Sequence, residues 1–194
     1  MVGLALSFRS TTAYERYADG RKSWTLLSVH SRNLARYIWV HIDERTANSE
    51  AQEKEDLLAK VTAINLILAF AVSLKHRLRF EPYAHYPDLA CLVAHLDTFA
   101  KNAHTEKNFE DKKKTWWKTI GEFLGMPFAY SNPRKEIKRA DKPLGNLPLE
   151  ILTYLSSYIE ETSTNGTLKN AVILGQMCTY PQSTVEHQLI NVQQ

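Results

Sequence analysis

Seven histidines, two cysteines and a run of arginines near the start are the side chains that could carry chemistry, and their spacing narrows what that chemistry can be. His30 and His41 stand eleven residues apart, and His85, His95 and His104 fall in segments of different character. No pair has the HExxH spacing that sets two ligands on one helical face, so no metal site is expected. His95 and Asp97 are too close in sequence to share a helix face. Cys91 and Cys178 lie far apart with no CxxC pairing, which points to a reducing compartment and away from a disulfide framework. There is no glycine-rich phosphate loop and no GxSxG elbow. These patterns give no catalytic residues and no cofactor, and an enzyme is the weakest reading. Asn165-Gly166-Thr167 fits the glycosylation acceptor pattern, which without a secretory signal is a chance match.

The basic residues allow a second kind of chemistry, the attraction of anions. Arg9, Arg16, Arg21, Lys22, Arg32 and Arg36 are spread along the first forty or so residues. Mixed with aromatics, as in Tyr14-Glu15-Arg16-Tyr17 and Arg36-Tyr37-Ile38-Trp39, they have the makings of a stacking surface for single-stranded nucleic acid. The plainer alternative is that the rings are buried in a helix interface with their polar tips reaching outward. Lys and Arg exceed Asp and Glu by only three, and the bases are diluted by acids, so no nucleic-acid partner is expected.

Helices must position these residues. The chain has 194 residues, 44% apolar and 23% charged, which suffices for one domain with a real core. From Val2 to about Ile42 there is no proline, and Trp24, Leu27, Ser31, Leu34 and Ile38 recur at helical spacing, widened by Leu26, Val29, Ala35 and Trp39. One long helix is expected, with a bend near Asp19-Gly20 possible. Residues 43–56 read as an acid-rich surface loop. Leu57 to Leu78 is the most apolar helix, but its unbroken apolar part, Leu66 to Leu74, is shorter than the roughly 20 residues a span needs. It reads as a buried core helix ended by Lys75, His76 and Arg77. Pro87 opens a helix expected to reach about Ala103, with Leu89, Leu92, Val93, Leu96 and Phe99 on one face. A hydrophilic linker over Asn102 to Lys114 and short helices over Trp116–Leu124 and Pro133–Ala140 follow. A last helix is capped by Asn146 and runs to about Glu161. Residues 170–194 are Gln-rich and expected to be poorly ordered.

The segment from Leu6 to Trp24, LSFRSTTAYERYADGRKSW, is more specific than a helical pattern. It resembles the bestrophin family of anion channels, in which an apolar helix runs into FR-x4-Y-x-R-[YFW]-x2-[GA]-RK-x-W. Ser31–Arg36, Ala69–His76 and Asn132-Pro133-Arg134 are also similar to that family, and Ala18-Asp19 departs from it where many relatives carry Trp-Glu. The resemblance covers residues 1–169, and residues 170–194 diverge from it.

The resemblance implies an all-α fold, a helical bundle corresponding to the cytosolic part of a channel subunit with the end of one membrane helix. It implies a homo-oligomer, a pentamer around a central pore, that passes chloride or other small anions across a membrane. An apolar neck on the second spanning helix leads into a cytosolic vestibule. On this template Met1 and Ala5 fall on the neck-facing side, and Ala5 is too small to make a tight constriction by itself. Arg9, Arg16, Arg21 and Arg36 become the candidates for an anion-facing surface; the alternative is that they pair with acids such as Glu15 and Asp19. Val2 to Phe8 would be the tail of a pore helix, and the chain is expected to be truncated at both ends, lacking a full span and conducting only within a complete channel. The competing expectation is a soluble helical interaction protein that binds partner helices.

Overall fold

The structure, a computed structural model, describes residues 2–45, 50–81, 83–102 and 145–179, with side chains described from residue 7 onward. The described residues form helices and connections without strands, as an all-α chain should. The expected helices at Trp116–Leu124 and Pro133–Ala140, the linker from 103 to 114 and the Asn132-Pro133-Arg134 match lie outside the described residues. Two compact units are present, one of residues 1–68 with 154–194 and one of residues 69–153.

In the first unit, α1 (Val2–His41) runs unbroken through Asp19-Gly20. Leu27, Leu34 and Ile38 are buried on it and Ile42 just beyond it, one stripe at helical spacing. The wider stripe expected from the sequence does not hold, because Trp24, Leu26, Val29 and Trp39 are exposed. A second helix, α2 (Glu50–Leu78), starts seven residues before the expected Leu57. Glu50 and Glu53 occupy its first turn, where the positive end of the helix dipole favours acids. Lys54 donates to Glu50 one turn back at 2.6 Å.

The connection between α1 and α2 holds by charge. Three consecutive residues each take a different partner within this unit. The Asp43 amide donates to the Thr167 carbonyl at 3.1 Å, and its carboxylate accepts from Lys169 at 3.1 Å. Glu44 accepts from Lys60 at 2.6 Å. The Arg45 guanidinium grips Asp56 through Nη2 at 2.6 Å and Nε at 3.0 Å, while the Arg45 amide donates to Asp56 Oδ2 at 2.9 Å. The Arg45 hydrogen bond holds the Asp56 carboxyl below its ordinary value. Lys60 is buried, and with Glu44 beside it and the Trp39 ring 5.6 Å beneath its ammonium, its charge is compensated.

The last long helix, α5 (Leu147–Thr164), buries Leu147, Ile151, Leu155, Ile159 and Thr162. It begins directly after Asn146, as expected, and outlasts the expected end at Glu161 by one turn. Thr162 and Thr164 fold their hydroxyls back onto the carbonyls of Ile159 and Glu160. Gly166, at φ 72°, then ends the helix, and the Gly166 and Leu168 amides close on Ser163 and Thr162. Residues 171–179 form a further helix, α6, begun by Asn170, whose side chain accepts from the Val172 amide at 3.0 Å. The poorly ordered tail expected from residue 170 onward takes in this helix; its remainder, 180–194, lies outside the described residues.

In the second unit the expected helix from Pro87 to Ala103 is two pieces, α3 (Pro87–Val93) and α4 (Phe99–Asn102). Leu89, Val93 and Leu96 are buried as expected, whereas Phe99 is exposed. Side chains satisfy the backbone at the break. Glu150 accepts from the Phe99 amide at 2.9 Å, and Lys101 donates to the Ala94 carbonyl at 2.8 Å. The end of α2 in this unit is a glycine-type cap without glycine. Phe80 takes φ 61°, the Glu81 amide reaches back to the His76 carbonyl at 2.9 Å, and the Phe80 amide reaches the Arg77 carbonyl at 3.1 Å.

By length and composition α2 could cross a membrane. Its unbroken apolar run alone, Leu66 to Leu74 between Asn65 and Lys75, is shorter than a span. One such helix also passes as the core helix of a globular protein, and Ala63, Leu66, Ile67, Ala69, Phe70, Ser73 and Leu74 are buried on α2.

Candidate functional site

The residues singled out for anion contact all stand on α1: Arg9, Arg16 and Arg21 in the part of the helix that the chain leaves uncovered, and Arg36 farther on, among the buried positions Leu34 and Ile38. Between Ser7 and Leu26 no described side chain is buried. Phe8, Tyr14 and Tyr17 are 67%, 71% and 62% exposed. Arg9, Arg16, Arg21 and Arg36 are exposed too. Met1 lies outside the described residues. Ala5 belongs to the α1 backbone, and its side chain is not among those described.

Helical spacing decides which of the arginines can act together. Arg9 and Arg16 are two turns apart, on one face and roughly 10 Å apart along the axis. Arg21 lies about a third of a turn around from them, and Arg36 on the opposite side from Arg9. The four therefore do not form one cluster within a single helix. Among the described residues none of them is in an ion pair. Asp19, proposed as a partner, is taken by Lys22 at 3.2 Å. Arg21 instead lies over the Tyr17 ring at 6.0 Å, and Arg36 over the Tyr37 ring at 5.5 Å. Both are exposed cation–π contacts that hold a guanidinium in place without neutralising it.

One feature of this helix was missed in the sequence. A shallow groove of about 430 Å³ is lined by Arg21, Trp24, Thr25, Ser28, Val29 and Arg32, all from α1. Arg21 and Arg32 are eleven residues apart, which brings them to one face three turns apart. Thr25 and Ser28 stand between them, the Thr25 hydroxyl donating to the Arg21 carbonyl at 3.0 Å. The 21–25–28–32 spacing is readable in the sequence, but the stronger apolar stripe through Leu27 and Leu34 masks it. Chemically the face offers two guanidinium groups as donors, hydroxyls of which the Thr25 one already donates to the backbone, and no carboxylate.

The buried stripe and the ionic connection at Asp43–Arg45 fix the far end of α1. The near end continues from that anchor as helix, and none of its described side chains is buried. Among the described residues no group of three or more His, Cys, Asp or Glu is placed to hold a metal ion.

Comparison with known proteins bears on what such a surface is for. The family model for bacterial and fungal bestrophin proteins matches residues 1–178. A voltage-dependent anion channel-forming protein of Nostoc sp. is 44% identical over 82 residues, which is 42% of this chain and 24% of that protein. One of the same description from Synechocystis sp. is 42% identical, with the same coverage of each chain. The matched stretch is thus about a quarter of the length of these relatives. No solved structure matches the chain. The family model takes in the exposed half of α1, the anchored half, and α2 through α6 to residue 178. The chain belongs to the bacterial and fungal bestrophin family.

Proposed function

We propose that this chain works as part of a bestrophin-type anion channel, passing chloride or other small anions through a membrane as a homo-oligomer, a pentamer on the family's plan. The supporting observation is the uncovered half of α1. A helix that carries Phe8, Tyr14 and Tyr17 on its surface beside Arg9, Arg16 and Arg21 suits a place where bilayer, neighbouring subunits and ion path supply the other side. Rotation about α1 places the arginines on several faces, and an oligomer resolves this: one face turns to the pore, the others to neighbours and lipid. In this reading Met1 and Ala5 stand toward the neck, and Arg9, near the membrane boundary, draws anions toward it.

Conduction belongs to the complete oligomeric channel, and residues 1–169 act as its bestrophin-like helical region. Chloride flux into vesicles holding the assembled channel tests this, with Arg9→Ala as the variant. Selectivity for anions falls if Arg9 faces the path. Unchanged selectivity leaves Arg9 a structural role, and no flux from folded oligomers removes the channel reading. Exposed Trp24, Leu26, Val29 and Trp39 favour a second reading, a helical protein that docks partner helices, which co-purification with an intact channel subunit distinguishes.

A further inference from the structure

Two carboxylates face the two nitrogens of one buried ring where α2 gives way to α3. His76 is 5% exposed. Its Nδ1 is 2.6 Å from Glu81 Oε2 and its Nε2 is 2.9 Å from Asp88 Oδ1. The ring stacks on Tyr86 with centroids 4.2 Å apart and planes 6° apart, and the His85 ring packs on Tyr86 at 4.6 Å. Lys75 donates to the other Asp88 oxygen.

A carboxylate only accepts, and a neutral imidazole has a single N–H. The ring can satisfy both carboxylates only as the imidazolium. When it loses a proton, one nitrogen turns a lone pair toward an anionic oxygen. The two sides are unequal. Lys75 and His76 hold the Asp88 carboxyl down to about 2, so Asp88 stays charged, and Lys75 keeps it tied to α2. Among the described residues Glu81 has only the His76 ring as its side-chain partner, and it has solvent to turn to. The remaining proton therefore stays on Nε2 toward Asp88, and the Glu81 contact breaks. Glu81 is also the residue whose amide closes the helix cap, next to Phe80 at φ 61°, a conformation that non-glycine residues rarely adopt.

We propose that His76 is a pH-sensitive latch on the 79–86 connection, closed when the ring is protonated and released on its Glu81 side when the ring is neutral. Histidine side chains ordinarily change charge between about pH 5 and 8, which sets the range over which the latch is tested. It stands on the geometry of this unit alone and does not depend on the channel reading.

Hydrogen exchange of the 79–86 amides in the intact chain tests it, with rates corrected for the intrinsic pH dependence of exchange. Protection is expected to fall about tenfold from about pH 5 to about pH 8, the size of one charge-assisted hydrogen bond. In Glu81→Gln the side-chain amide can donate to the neutral Nδ1, and the fall should disappear. Constant protection in the unaltered chain, or the same fall in Glu81→Gln, overturns the latch. Nitrogen NMR of the His76 ring in the unaltered chain gives a reading that needs no variant. Two protonated nitrogens at about pH 5, giving way to a single Nε2–H at about pH 8, support the latch, and a neutral ring at both overturns it.

Discussion

The two halves of α1 are one helix by backbone and two different objects by environment. From Leu27 onward the helix buries Leu27, Leu34 and Ile38, and the Asp43–Arg45 connection ties down its end. Before Leu27 no described side chain is buried, and the aromatics stand out from the helix beside uncompensated arginines. The family-like segment Leu6–Trp24 falls in the second kind of surface. The longest family-like segment of α1 thus lies where the chain's own core does not reach, while the shorter one, Ser31–Arg36, shares the anchored half with buried Leu34. The difference teaches that the residues of the longer segment answer to something beyond this chain's core.

That contrast can be broken by substitution. Ile38 is 0% exposed, and Ile38→Ala should cost about 2–5 kcal/mol in denaturant unfolding, since a buried cavity is left that the helix cannot close. A small loss there would mean that the anchored half is not anchored.

Smaller effects come from pH, one in each unit. Burial first, then the nearby charges Asp56, Glu161 and Glu44, push Tyr158 up to about 12. An unfolded tyrosine loses its proton near its ordinary value of 10.0, whereas the folded one keeps it, so stability should fall as pH rises from there to about 12. Tyr158→Phe should remove that step from the alkaline unfolding profile. On the acid side the sign is reversed. Asp88 is held at about 2 by its hydrogen bonds to Lys75 and His76, so its contribution is present above its ordinary value of 3.8 and lost as pH falls toward about 2. Asp88→Asn should flatten that part of the acid profile. The smallest effects belong to the exposed half: Phe8→Ala and Arg9→Ala should each shift the stability of this chain by no more than about 0.5 kcal/mol. A loss from Phe8→Ala as large as that from Ile38→Ala would erase the distinction between the halves.

Much of this was legible in advance, for physical reasons that differ by region. The 27–34–38 spacing and the absence of proline announce α1 and its buried stripe. Helical spacing puts Trp24 and Trp39 on that stripe, but spacing alone does not say how wide a stripe the neighbours cover. The break between Val93 and Phe99 is invisible in the sequence because it depends on Glu150, distant along the chain, taking the Phe99 amide. The early start of α2 was hidden by acid-rich composition that reads equally as loop or as helix N-terminus. For the site, residue types pointed to the arginines, but the Arg21–Arg32 face and the His76 contacts needed coordinates. His76 looked only like a basic helix end, and its two carboxylate partners are contributed by a turn and by the next helix.

Chloride flux into lipid vesicles by the assembled oligomer tests the central claim most directly. The account predicts chloride entry well above that of protein-free vesicles and a loss of anion selectivity on Arg9→Ala, with folding unchanged. Folded oligomers that pass no chloride would contradict it.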